Sequence, residues 1–317
     1  MKLIFQALNV LIFTLFFSVT ANASETEGKF TTLRVGVLDS HPMAKRADYK
    51  DAFVFNYSNL LGVNVSVTGF KTLGSLIDAH ASGRIHYAMH TARSFATTDS
   101  ICKCVDALAR PVSQTGAVGF RSVLVSKKDL DVRGNTAKAN LKIGFSRKES
   151  ISGWLMPNMA LSLGQLGKFD LAEMGDVGTM ISAFGNDELH GFFGWLPVSS
   201  TDVEFNQSDL FSGHFGNDVF QSSDIDLSWW SNIVYFGPHA VHNDVPEKLR
   251  QDLTDLLLNM DSQQPRLLDI VEPYYSGGFT KSNQSDYDAL TKALAIKAGI
   301  AVPEVELELS LRPSIIK

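Results

Sequence analysis

The chain carries the same succession of patterns twice, and that repetition leaves few architectures open to it. Leu33 to Leu38 (LRVGVL) is a short apolar run of the kind that forms a buried strand. Ala47 to Leu61 follows, with Phe53, Tyr57, Leu60 and Leu61 at helical spacing and Gly62 as a stop. Val63, Val65 and Val67 alternate as in a strand. Leu73, Leu76, Ile77 and His80 mark a short helix ended by Gly83, and Ile85 to His90 reads as the next strand. The order then recurs. Lys142 to Phe145 is a strand, and Gly153 to Leu166 is a helix carrying Leu155, Met159 and Leu163. Asp176 caps a short helix with Val177, Met180, Ile181 and Phe184 on one face, and Leu189 to Phe193 closes the set. Strands alternating with helices mean βαβ units. The expected fold is α/β: two lobes, each a mostly parallel sheet flanked by helices.

Two further strand patterns stand between the halves. Gly119 to Ser126 (GFRSVLVS) precedes the second set, and Trp229 to Phe236 (WWSNIVYF) follows it. Two strands crossing between two lobes make a hinge. The first lobe is expected to hold residues 24–120 plus 235–317, and the second residues 121–234. Pro246 opens a helix at its first position, with Leu249, Leu253, Leu256, Leu257 and Met260 on its apolar face. Ser285 and Asp288 suggest a capping box for a last helix through Leu290 and Leu294, returning to the first lobe.

The first 23 residues have the form of an export signal. Lys2 precedes a run that includes Leu11, Phe13, Leu15, Phe16 and Val19, and Ala21-Asn22-Ala23 is a small-x-small cleavage site. An apolar run of about 15 positions is short for a membrane span. Cleavage would remove one lysine and leave a net charge of −7 on 294 residues. That charge, with basic residues scattered, argues against a nucleic-acid partner. The mature protein is expected in the periplasm, as a monomer. Cys102 and Cys104 form a lone C-x-C pair: two thiols, or a disulfide that export permits. Two Cys do not fill a structural zinc site.

Open α/β sheets bind ligands at the carboxyl edges of their strands. Four segments should lie there: Asp39-Ser40-His41, His90-Thr91-Ala92-Arg93-Ser94, Ser146 to Gly153, and Phe193-Gly194-Trp195. Ser150-Ile151-Ser152-Gly153 is the most informative, because it leads into a helix. Its first turn has free N–H groups, its hydroxyls can donate, and the macrodipole favours an anion. The same pattern also serves as a plain helix cap. Arg121 and Ser122 lie in the first hinge strand, where Arg121 either pairs an anion or braces the hinge. His86 and His90 are four apart, but on a strand pattern, which suits hydrogen bonding in the core or cleft better than a metal. Trp195 could wall a cleft, although aromatic packing is the usual role. The chain lacks the G-x-S-x-G, P-loop, H-E-x-x-H and G-x-G-x-x-G patterns, so neither enzyme activity nor a cofactor is expected.

The strings GRIHYAMHTARSFA (83–96), ALARPVSQTGAVGFRSVLVSKKD (107–129), IGFSRKESISGWLMPNMAL (143–161), SNIVYFGPHAVHNDVPEKL (231–249) and GGFTKSNQSDYDAL (277–290) resemble the phosphate/phosphite/phosphonate substrate-binding proteins of ABC importers. The resemblance implies a type II periplasmic-binding-protein fold whose lobes close on a ligand. It implies an ABC permease in the inner membrane as partner, and an oxyanion at Ser150 to Gly153, near Phe120 and Ser122. A ligand-sensing protein that reports to a membrane receptor is the alternative. Phe120 stands where the family commonly has Tyr, and Ile151 replaces a hydroxyl-bearing residue. Members that hold an amine place an acid in the second lobe. The matching loop here, Gly194-Trp195-Leu196-Pro197, has none, so a primary ammonium is not expected on the ligand.

Overall fold

In the computed structural model, which describes residues 30–132, 140–199 and 225–299, the apolar runs assemble into two sheets. The expected export signal, residues 1–23, lies outside the described residues. Strands β1 (Thr32–Leu38), β2 (Asn64–Phe70), β3 (Tyr87–Met89) and β4 (Val105–Pro111) belong to the first sheet. Strands β5 (Ala117–Lys127), β6 (Lys142–Phe145), β7 (Asp170–Glu173), β8 (Gly191–Ser199) and β9 (Ile225–Tyr235) make the second. Strands β10 (His239–His242) and β11 (Phe279–Lys281) return to the first. The first sheet has the order β11-β4-β10-β3-β1-β2 and the second β7-β6-β8-β5-β9.

Parallel pairing, expected to dominate, is confined to one side of each sheet: β3-β1-β2 in the first and β8-β6-β7 in the second. The remainder is antiparallel, so both sheets are mixed. The reason is connectivity. Strand β10 arrives from the second sheet and runs against both β3 and β4, while β5 and β9 pair with each other from Gly119–Tyr235 to Lys127–Ile225. The two long strands predicted between the lobes therefore lie in the second sheet, and the crossings themselves are the short segments 112–116 and 236–238. The second crossing is tight. A Cβ on Gly237 would lie 2.0 Å from the His90 carbonyl oxygen, so only glycine fits there.

Helices α1 (Pro42–Lys45), α2 (Ala47–Leu61), α3 (Leu73–Ala81) and α4 (Ala92–Cys102) flank the first sheet. Helix α2 buries Phe53 and Tyr57 and ends, as predicted, at Gly62 with φ of 67°. Helix α4 is absent from the sequence reading. Its start is set by Thr91 and Ser94, each of whose side chains accepts from the other's backbone N–H. A π turn at Ile151–Leu155 runs into α5 (Met156–Ser162), and α6 (Val177–Gly185) follows with Asp176 as its cap. Helix α7 (Glu247–Leu258) packs on β4 and β11, α8 (Met260–Gln263) follows it, α9 (Pro265–Val271) packs on α2, and α10 (Asp288–Lys297) comes last. Two local expectations shift. Pro246 is the residue before α7 rather than its first, and the capping box near the end is Asn283 with Asp286. A 3₁₀ turn at Gln284–Tyr287 intervenes, moving the box two residues upstream of the predicted Ser285–Asp288 pair.

Helix α10 does not serve the first lobe alone. It packs on both α4 and α5. Its Leu290 and Ala293 share one buried cluster with Phe95 and Ala96 of the first lobe and Phe145, Met156 and Met159 of the second. Cys102 and Cys104 are disulfide-bonded across Lys103, which adopts a left-handed conformation at the end of α4.

Candidate functional site

The chain leaves β6 at Phe145 and turns through residues 146–150 before entering the π turn. Ser150 caps that turn. Its hydroxyl accepts from the Gly153 N–H at 2.9 Å, and its carbonyl accepts from the Trp154 and Leu155 N–H groups at 3.2 and 3.0 Å. As at any helix start, the first N–H groups have no carbonyl upstream to bond. The backbone N–H groups of Ile151 and Ser152, and the Ser152 hydroxyl, have no hydrogen-bond partner among the described residues. A Cβ on Gly153 would lie 2.7 Å from Ser146 Oγ and 3.0 Å from Ser150 Oγ. Glycine is what lets both hydroxyls crowd the helix start. This face lines a cavity of about 720 Å³ together with Ser146, Arg147 and Trp195. Asp176 lines it too, but its carboxylate accepts from the Thr179 N–H and hydroxyl at 2.9 and 2.7 Å. Those bonds lower its pKa and hold it as a cap.

A second cavity, of about 370 Å³, draws on both lobes. Phe120 and Ile151 come from the second lobe. Ser40, His41 and His90 follow β1 and β3, Tyr235 and Phe236 end the hinge strand, and Glu272, Tyr274 and Tyr275 follow α9. Ile151 faces this cavity while Ser150 and Ser152 line the other, so the helix start lies between the two.

Histidines stand behind the first-lobe wall. His80 Nδ1 and His90 Nε2 are 2.8 Å apart, and His90 Nδ1 is 3.0 Å from Ser94 Oγ. The three contacts agree when His80 donates to His90, His90 to Ser94, and Ser94 to the Thr91 carbonyl, which leaves the buried His80 Nε2 without a partner among the described residues. Burial, with His242 nearby, pushes His80 down to about 3. Burial also holds His90 well below the usual imidazole range, with His80 and His239 adding to it. Both rings are neutral at physiological pH. His86 turns away, accepting at Nδ1 from the Arg34 N–H. Among the described residues there is no His, Cys, Asp or Glu group that could hold a metal.

The residues singled out from sequence thus fall into three sets. Ser40, His90, Phe120 and Ile151 line the smaller cavity, and Ser150, Ser152, Gly153 and Trp195 the larger. Arg93, Ser94, Arg121 and Ser122 line neither. Arg93 reaches across the lobes to the Glu149 carbonyl at 3.3 Å. Ser94 is buried in the α4 capping box. Arg121 donates to the Ser231 carbonyl at 2.7 Å, which is the bracing role. Ser122 is buried, and its hydroxyl donates to the Ser152 carbonyl at 2.5 Å, so it supports the helix start from behind. Sequence reasoning did not single out Arg147, although it lies inside the Ser146 to Gly153 segment. It also missed Glu272, His239, Tyr274 and Tyr275, which no periodic pattern marks.

No family model and no curated protein matches the chain. Solved structures do. XAC2383 of Xanthomonas citri, bound to ATP, is 13% identical over 86% of this chain and 100% of its own, with a TM-score of 0.53. PhnD1 of Prochlorococcus marinus, in complex with methylphosphonate, is 17% identical over 86% of this chain and 99% of its own, at 0.47. A binding protein component of an ABC phosphonate transporter of Pseudomonas aeruginosa is 14% identical over 84% of this chain and 87% of its own, at 0.45. With its two mixed, helix-flanked sheets and double crossing, the chain has the two-lobed periplasmic-binding-protein fold.

Proposed function

We propose that the protein is the periplasmic substrate-binding component of an ABC importer, taking a small oxyanion of the phosphonate, phosphate or phosphite class between its lobes. The observation that carries this reading is the start of the π turn. Two backbone N–H groups and the Ser152 hydroxyl stand without partners, beside Ser146 and Arg147, where the helix dipole adds positive potential. Charge-assisted bonds from such donors are the strong ones. Ser122 and Ser150 are already engaged, so they shape the site rather than fill it.

Binding would proceed by closure. The crossings at 112–116 and 236–238 bend, the cleft dries, and protein donors replace water around the anion. The chain acts as an exported monomer that meets an inner-membrane permease through both lobes, and it is not an enzyme. A thermal-shift series with phosphate, phosphite, methylphosphonate and sulfate tests the reading. A ligand that binds only the folded state raises the melting temperature, by linkage of about 2.7 kcal/mol at a hundredfold excess over Kd. A phosphonate or phosphite should do so; a flat response to the whole series would sink the oxyanion.

A further inference from the structure

The smaller cavity is charged in the opposite sense to the helix start. Among the described residues, no lysine or arginine lines it, and Glu272 is the one carboxylate that does. That side chain is 12% exposed, and its contact with His239 Nε2, at 3.6 Å, is beyond hydrogen-bond length. His239 is already tied at Nδ1 to the Tyr87 hydroxyl, 2.5 Å away. A carboxylate this deep normally has a paired charge. The wall around it supplies no permanent cation, only imidazoles, those of His239 and His41 among them.

What the wall supplies is rings. Phe120, Phe236, Tyr274 and Tyr275 line the same cavity, with Phe236 and Tyr275 at 4.5 Å between centroids. Tyr235 is not counted, because the Arg110 guanidinium covers it at 4.0 Å. Aromatic faces attract cations, and methylated ammonium groups most usefully, since these have no N–H to satisfy. A primary ammonium asks for three acceptors, and rings with one carboxylate offer too few.

We infer that the Glu272 cavity is a subsite for a methylated ammonium group, so that the ligand class is an oxyanion bearing a quaternary or tertiary amine. The inference rests on the cleft being the solute site, but the cation claim can be tested without the anion. The probes are choline and its uncharged isostere 3,3-dimethylbutan-1-ol, titrated calorimetrically into the mature chain. Choline should bind at least tenfold more tightly than the isostere. Glu272→Gln should erase that preference. Tyr274, exposed and safe to alter, gives a second variant: Tyr274→Ala should weaken choline severalfold. Choline failing to bind, the isostere matching it, or Glu272→Gln keeping the preference would each overturn the inference. Methylphosphonate failing to bind while choline is still preferred would remove the oxyanion and leave the cation subsite standing.

Discussion

Each lobe presents a helix start to the cleft, α4 after β3 in the first and the π turn after β6 in the second, and the two starts are capped differently. At α4 the capping is reciprocal: the Ser94 N–H goes to Thr91 Oγ1, and the Thr91 N–H goes to Ser94 Oγ. The start of α3 is closed the same way by Thr72 and Ser75. In the second lobe Ser150 satisfies the Gly153 N–H, and the N–H groups of Ile151 and Ser152 stay open, as the first two of a helix do. A helix start is an anion site only where its own cap leaves donors unspent. The Ala92 and Arg93 N–H groups at the start of α4 are left open as well, so the contrast lies in what surrounds them: the first lobe faces the cleft with rings, neutral imidazoles and one carboxylate.

The largest expected effect tests the neutrality of the first-lobe wall. Burial lowers the pKa of His80 and of His90, so between pH 7.5 and pH 5 the unfolded chain binds protons that the folded chain refuses. Stability is then full above the unfolded pKa of about 6.5 and falls as pH drops below it. Each imidazole kept neutral at pH 5 costs about 2 kcal/mol, so the pair removes about 4 kcal/mol. Urea unfolding at the two pH values measures this directly. Equal midpoints would mean that the pair takes up protons in place, and the contrast between the walls would collapse.

The next effect belongs to the second lobe. Ser152→Ala removes a free hydroxyl beside two free N–H groups and should weaken oxyanion binding by about 1.5–3 kcal/mol, without changing the melting temperature of the free protein. Ser94→Ala, which breaks the capping box at the start of α4, should do the reverse. It lowers stability by about 1 kcal/mol and leaves oxyanion affinity alone. Calorimetry and thermal unfolding on both variants decide the pair. Affinity loss in Ser94→Ala would place the anion against the wrong wall.

How far the sequence could be read follows the same division. The strands β1, β2, β5 and β6 and the helices α2, α3 and α6 announce themselves, because their residues alternate or recur with the turn. Helix α4 does not, since Ala92, Ser94, Thr97 and Thr98 give no apolar stripe and its packing on α10 comes from far along the chain. The site divides likewise. Ser150 to Gly153 is one contiguous segment between a strand and a helix, so its place at the sheet edge can be read locally. Glu272 stands after α9 and faces Phe120 and Ile151, more than a hundred residues away in sequence. Ser122 is the instructive case. The resemblance implied a place near the oxyanion, but its hydroxyl is spent on the Ser152 carbonyl.

Ser150→Ala sharpens the comparison at a smaller scale. Its hydroxyl accepts from Gly153, so its loss costs about 1 kcal/mol of folding stability, the usual value of a helix cap. It also frees a third N–H at the helix start, which an anion can use. Binding should therefore suffer less than in Ser152→Ala. A larger loss of affinity in Ser150→Ala than in Ser152→Ala would show that the cap, not the open donors, organises the site.

The smallest effect is expected where the two walls touch. Arg93, in the first turn of α4, donates to the Glu149 carbonyl of the second lobe at 3.3 Å. The bond is exposed and long, so solvent competes for it and its net value is a few tenths of a kcal/mol. Arg93→Ala should leave the melting temperature within about 2 °C. Its influence is on geometry instead. Arg93 ties α4 to the loop that carries Arg147 and Ser150, so removing it loosens one of the contacts that hold the lobes near each other. If closure is what captures the ligand, the variant should release it faster, with the association rate nearly unchanged. Stopped-flow measurement of both rates separates the two. An unchanged dissociation rate would mean that α10, packed on α4 and α5 together, sets the distance between the walls by itself.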